Sequence, residues 1–168
     1  MSFIAERVRE HYEALDAGPR PGCAPGALSA FESAHNLSLP RSFADFYLSM
    51  DGLDGEVPEF GAHALQLWPL DEVCRVSERV AEYRGVPDYG PILTTLPEAD
   101  QYIAFGDGMC WSHVLAARLS DGAGPVLWIC GGSYARVAPT FDEFWVRYLE
   151  NPDSVLWPDE DEINSPAV

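Results

Sequence analysis

Residues 113–138 read His113-Val114-Leu115-Ala116-Ala117-Arg118-Leu119, then Ser120-Asp121-Gly122-Ala123-Gly124, then Pro125-Val126-Leu127-Trp128-Ile129-Cys130, then Gly131-Gly132-Ser133, then Tyr134-Ala135-Arg136-Val137-Ala138. Three short runs rich in β-branched and aromatic side chains are separated by two glycine-rich clusters. This is the signature of adjacent antiparallel strands joined by tight turns. No stretch between the runs is long enough for the helical crossover that parallel strands require. The pattern extends upstream. Gln101–Phe105 reads as a further strand, Ile92–Thr95 as another, and Ala64–Trp68 as one more beyond a gap, so the sheet is predicted to have about five to six strands.

On both sides of this block the apolar period lengthens from two to nearly four. Downstream, Phe141, Phe144, Trp145, Tyr148 and Leu149 recur at helical spacing across Thr140–Glu150, which predicts a closing helix laid on the sheet. Upstream, Ile4, Val8, Tyr12 and Leu15 predict a helix over Phe3–Ala17, which Gly18-Pro19-Arg20-Pro21-Gly22 must break. A second helix is expected over Pro25–His35, with Pro25 in its first turn and Asn36 closing it. A third is expected over Arg41–Met50, with Gly52 as a left-handed stop. Asp71 is a candidate cap for a fourth helix whose face is Val73, Val76, Val80 and Tyr83. Helices first, strands next and a helix last make an α+β fold, with N-terminal and C-terminal helices packed on one antiparallel sheet. The chain is expected to be a single domain over residues 23–150. An N-terminal helix and Gly/Pro linker (1–22) precede it, and an acidic tail (151–168) follows it. The tail reads as solvated, although Val155-Leu156-Trp157 is an apolar island able to pin its start.

With 47% hydrophobic and 12% aromatic residues in 168, the chain has enough apolar material for its own core. Its charge is lopsided. Twenty-seven acids stand against ten bases, all arginine, for a formal charge of −17. Such a surface repels phosphate backbones and attracts cationic proteins, so no nucleic-acid partner is expected. The opening Met1-Ser2-Phe3-Ile4-Ala5-Glu6 has no basic leader, and the most apolar run, Val126–Cys130, is too short for a bilayer, so a cytoplasmic location without membrane contact is expected. Cysteines 23, 74, 110 and 130 lack CxxC spacing. Their even number permits two disulfides, but reduced core thiols fit a cytosolic chain better.

Catalytic constellations are missing from the sequence. Gly108-Met109-Cys110-Trp111 faintly echoes a cysteine-protease segment, but that chemistry needs an imidazole brought in from a distant part of the fold, and only His113 follows. There is no Gly-x-Ser-x-Gly elbow. His11, His35, His63 and His113 fall in separate elements without an HxH or HExxH pair, so no metal and no cofactor are expected. Asp51-Gly52-Leu53-Asp54-Gly55-Glu56 spaces its aspartates three apart rather than alternating them as an EF-hand does, and reads as a solvated acidic loop. A phosphate-binding lysine loop cannot exist in a chain without lysine. An acidic domain of this kind is expected to be a binder rather than an enzyme.

The order of several weak motifs carries more information than any one of them. Leu39-Pro40-Arg41-Ser42-Phe43-Ala44-Asp45-Phe46-Tyr47 leads into Met50-Asp51-Gly52. Later come Leu67-Trp68-Pro69-Leu70-Asp71-Glu72-Val73, then Gln101-Tyr102-Ile103-Ala104-Phe105-Gly106-Asp107, then Gly124-Pro125-Val126, and finally Ala138-Pro139-Thr140-Phe141-Asp142-Glu143-Phe144. In this order, across about residues 23–150, the chain resembles the SUKH superfamily, which includes the Smi/Knr-like cell-wall regulators and many bacterial immunity proteins. The resemblance supplies no catalytic set. It implies an immunity protein that binds and neutralises a cognate toxin encoded beside it. A regulatory or scaffold role like that of the cell-wall regulators is the alternative. The charge adds that the toxin is basic, a nuclease being one class that fits. The partner-binding residues expected from loop acidity are Asp51, Asp54, Glu56 and Glu59, joined by an edge formed by Glu98, Asp100, Asp107 and Trp111. The protein itself is expected to be a monomer or weak homodimer.

Overall fold

The spine of the protein is strand β5 (Tyr102–Gly108), every residue of which is buried. In the computed structural model, which describes residues 2–55, 65–82, 87–108, 112–119 and 124–164, β5 is paired along both edges. On one side it meets β3 (Leu65–Leu67) and β4 (Cys74–Arg75), and on the other β6 (His113–Arg118), followed by β7 (Val126–Cys130) and β8 (Ser133–Ala138). All these pairings are antiparallel, giving a six-stranded sheet. The α+β class and the meander are therefore as the sequence predicts.

Both faces of the sheet are covered, which is why its strands read as apolar runs without clean alternation. Ile103, Phe105, Leu115, Ala117, Val126 and Trp128 face the larger core, shared with α1 (Phe3–Ala14), α3 (Arg41–Tyr47) and α6 (Phe141–Glu150). Ala104, Val114, Ala116, Leu127 and Ile129 face a second core, closed by Val76 and Val80 of α4 (Val76–Glu82), by Tyr89 and by Ile92 of α5 (Ile92–Thr95). Helix α6 starts where the Thr140 hydroxyl accepts from the Glu143 N–H at 3.1 Å. Its Phe141, Phe144, Trp145 and Tyr148 are all buried, and Phe46 stacks on Trp145 with centroids 5.1 Å apart. Fully burying each such ring contributes roughly 2–3 kcal/mol.

Several expectations need correcting. Ile92–Thr95 is a helical turn, not a strand; the Thr94 and Thr95 hydroxyls donate to the Pro91 carbonyl and close it locally. The fourth helix starts at Val76 rather than near Asp71, because Cys74 and Arg75 first pair with Ala104 and Ile103 of β5. The third helix stops at Tyr47. Met50–Leu53 is instead strand β2, paired with β1 (Pro19–Pro21), which replaces the supposed linker. Prolines are tolerated there because the two-stranded ribbon has open edges and asks for few of the N–H donors they lack. Gly52 does have positive φ, at +71°, but inside β2, where a Cβ would lie 2.4 Å from the Pro69 nitrogen. Helix α2 (Pro25–His35) closes on Asn36 at φ 47° as expected. Beyond Pro152 the chain is held to the body: Val155 and Leu156 of α7 (Asp153–Leu156) enter the larger core, and Asn164 bridges to Tyr134 of β8. Cys23 and Cys130 are free thiols; Cys110 lies outside the described residues.

Candidate docking surface

Asp51 is mainly a brace. Its carboxylate accepts the Leu70 N–H at 2.7 Å and stands 3.8 Å from Arg20, with its side chain only 13% exposed. Together with Gly52, whose bare Cα admits the Trp68–Pro69 backbone, it clamps the segment between β3 and β4. Its charge reaches inward, adding to the effect of burial in raising the Tyr47 hydroxyl well above its usual pKa and the Cys23 thiol more modestly. Asp54 is exposed at the far end of β2, and its N–H donates to the Gly18 carbonyl at 2.8 Å. Glu56 and Glu59 lie outside the described residues, as does Trp111.

The second expected group does not form one edge. Glu98 and Asp100 are exposed just before β5 begins, and Glu98 pairs with Arg118 at 2.5 Å. Asp107 lies near the other end of β5, roughly 17 Å further along at the usual strand rise. It is only 3% exposed, and its carboxylate accepts the Trp68 indole N–H at 2.7 Å. Asp107 is therefore an interior hydrogen-bond partner and presents no charge to a docking protein.

The fold instead brings together acids that the sequence keeps apart. Glu6, Glu10, Glu13 and Asp16 are all exposed along α1 and the turn after it. The ribbon hydrogen bond between Asp54 and Gly18 places Asp54 at that same turn. Glu13 and Asp16 thus sit at the negative end of the α1 dipole, where cations are the stabilising residues. Asp16 also holds a left-handed backbone, at φ 58°. Among the described residues no arginine pairs with Glu13, Asp16 or Asp54. A second acidic stretch, Asp159–Glu162, is exposed in a 3-10 turn beside Trp157, which is 43% exposed. The apolar pair Val155-Leu156 was the sequence signal that this stretch is held in place. Nothing in the sequence signalled that Asp54 lies beside Gly18, two residues past Asp16.

Other titratable groups serve the interior. Tyr12 donates to the Leu65 carbonyl at 2.8 Å and Tyr47 to the Trp68 carbonyl at 3.0 Å. The His113 imidazole is buried between Trp128 and Trp157, which lowers its pKa to about 4. Among the described residues there is no group of three or more His, Cys, Asp or Glu placed to hold a metal ion. No helix there is long and apolar enough to cross a membrane.

The profile of the SMI1/KNR4 family (SUKH-1) matches residues 22–147. The chain belongs to this family. A comparison with curated proteins gives no match. The match spans most of the chain and takes in every motif noted in the sequence. In this SUKH protein those motifs are scaffold. The Leu39 N–H donates to Glu32 at 2.8 Å, Pro40 sets the entry to α3, and Phe43 packs on Tyr47 and Phe141 at 4.7 and 4.8 Å. Helix α1, with its exposed acids, precedes the matched segment, and the C-terminal acidic turn follows it.

Proposed function

We propose that this SUKH protein is a non-catalytic immunity protein that binds one basic toxin domain and blocks its active groove. The observation that carries the proposal is that Glu13 and Asp16 lie exposed at the negative end of α1, with Asp54 bonded to Gly18 of the turn that follows, and that none of the three has a basic partner among the described residues. That arrangement opposes stability, and a cationic partner would relieve it. A body of charge −17 would draw such a partner in from a distance, raising the association rate about 10- to 1000-fold at low salt. Affinity would then rest on a few apolar anchors inside the acidic rim. The protein would act in the cytoplasm of the cell that makes the toxin.

The test is to express the toxin domain encoded beside this gene and mix the two proteins. A one-to-one complex that abolishes the toxin's activity supports the proposal. If no neighbouring toxin domain binds, the immunity role fails and the regulatory-scaffold alternative takes its place.

A further inference from the structure

Four Asp-Gly pairs occur in the chain, at residues 51–52, 54–55, 107–108 and 121–122. Such a pair carries chemistry of its own, because glycine puts no side chain between its backbone nitrogen and the preceding carboxyl group. That nitrogen can attack Cγ of the aspartate and close a five-membered ring. Whether it does so depends on the fold. The carboxyl group must be free, the peptide unit must be able to turn, and the ring must have room.

The described pairs differ in all three respects. The Asp51 carboxylate accepts the Leu70 N–H at 2.7 Å, and Gly52 is pressed against the Trp68–Pro69 backbone. The Asp107 carboxylate accepts the Trp68 indole N–H at 2.7 Å, and both Asp107 and Gly108 are buried in β5, where Gly108 pairs with His113. Asp54 and Gly55, just past the end of β2, are both exposed. Among the described residues the Asp54 carboxylate has no partner, and the Gly55 N–H has none either. Gly55 holds φ at +89°, and among the described residues nothing lies within 4 Å of the place its Cβ would take. The chain is anchored on both sides of the reacting bond. The Asp54 N–H donates to the Gly18 carbonyl at 2.8 Å, and the Gly55 carbonyl accepts from the Gln66 side chain at 2.9 Å. The peptide unit between these anchors, which carries the reacting nitrogen, has no hydrogen bond of its own among the described residues. The pair at 121–122 lies outside the described residues.

We propose that Asp54-Gly55 is a site of spontaneous covalent modification, at which this chain forms a succinimide and then an isoaspartate. The Gly55 nitrogen bonds to Cγ of Asp54 while the carboxyl group is in its acid form. The Cγ–OH bond breaks, and the hydroxyl leaves with the amide proton as one water. Water then opens the ring. Attack at Cγ restores aspartate, whereas attack at the backbone carbonyl carbon of Asp54 leaves the chain running through Cγ, as isoaspartate. No reactant besides water is needed. The product keeps one negative charge but adds a methylene to the backbone just past the bond to Gly18, so the carboxylate at the end of the ribbon is displaced. The proposal does not depend on the toxin reading, because the reaction involves this chain alone.

The test ages the full chain at about 37 °C and about pH 6 in water enriched in heavy oxygen. Peptide mapping by mass spectrometry with electron-based fragmentation tells isoaspartate from aspartate, and each passage through the ring adds one heavy oxygen. Residue 54 should gain isoaspartate and heavy oxygen at least about tenfold faster than residues 51 and 107. In guanidinium chloride, where the partners of Asp51 and Asp107 are gone, the three pairs should react at similar rates. Asp54→Glu keeps the charge and the exposure but would need a six-membered ring; it should abolish the modification at this position with an unchanged melting temperature. Absence of heavy oxygen at residue 54 of the native chain overturns the proposal, as do equal native rates at the three pairs. Label that persists in Asp54→Glu would show exchange without a ring and overturn it too. A tenfold preference for residue 54 that survives unfolding would show that the folded geometry does not select the site.

Discussion

Replacing His113 by phenylalanine should remove most of the acid sensitivity that this side chain confers on the fold. The His113 ring lies over Gly108 of β5, so closely that a Cβ there would sit 2.1 Å from Nε2. Trp128 and Trp157 flank it at 5.7 and 5.6 Å, and its buried Nε2 has no hydrogen-bond partner among the described residues. Burial lowers its pKa from 6.5 to about 4. The unfolded chain therefore binds this proton more readily than the native protein does. The stabilisation is complete above pH 6.5 and lost as pH falls toward 4. A gap of about 2.5 pH units at roughly 1.4 kcal/mol per unit gives about 3 kcal/mol in full, of which about 2 kcal/mol is gone by pH 5. The assay is urea unfolding of wild type and His113→Phe at pH 7.5 and pH 5.0. Carboxylates such as Asp142, whose pKa is raised by burial and by Asp45, titrate in both proteins and cancel in the comparison. Wild type should lose about 2 kcal/mol more than the variant between the two pH values. Equal losses would show that the imidazole is not held neutral by its surroundings, and the reasoning would fail.

Gly52→Ala should destabilise the protein by more than about 2 kcal/mol in the same assay, since it meets both a positive φ and the Trp68–Pro69 backbone. Asp51→Ala leaves the Leu70 N–H without its acceptor and should cost about 1–3 kcal/mol, whereas Asp54→Asn should leave stability nearly unchanged. Asp107→Leu takes away the carboxylate that receives the Trp68 indole N–H; a loss of about 2 kcal/mol and altered tryptophan fluorescence are expected. Neutralising α1's crowded end in Glu13→Gln/Asp16→Asn should raise stability, by roughly 0.5 kcal/mol, because those charges oppose the helix dipole. A melting temperature that falls instead would mean the two acids have structural partners.

The helices α1, α2 and α6 were legible because each buries one stripe: Val8 and Tyr12, Leu28 and Phe31, Phe141 through Tyr148. The meander was legible from its glycine clusters. Ile92–Thr95 was not, since four apolar and β-branched residues suit a strand as well as a helical turn, and the deciding contacts are hydroxyls bonded back to Pro91. The β1–β2 ribbon was hidden by its prolines, and by the helical spacing of Phe43, Phe46, Tyr47 and Met50, which runs on past the end of α3. Of the expected docking residues, Asp54, Glu98 and Asp100 are exposed. Asp51 and Asp107 hold the chain from inside, and no charge pattern in one dimension distinguishes a carboxylate that accepts an indole N–H from one that faces water. The patch at Glu13, Asp16 and Asp54 depends on a hydrogen bond between residues 18 and 54, which only the folded ribbon supplies.

The claim that this protein works by electrostatic capture of a basic toxin is tested most directly by stopped-flow association with the neighbouring toxin domain across a salt series. Wild type should associate at least tenfold faster at low salt than at high salt, and Glu13→Gln/Asp16→Asn/Asp54→Asn should lose most of that acceleration. A rate independent of salt, or one the triple variant leaves unchanged, would contradict it.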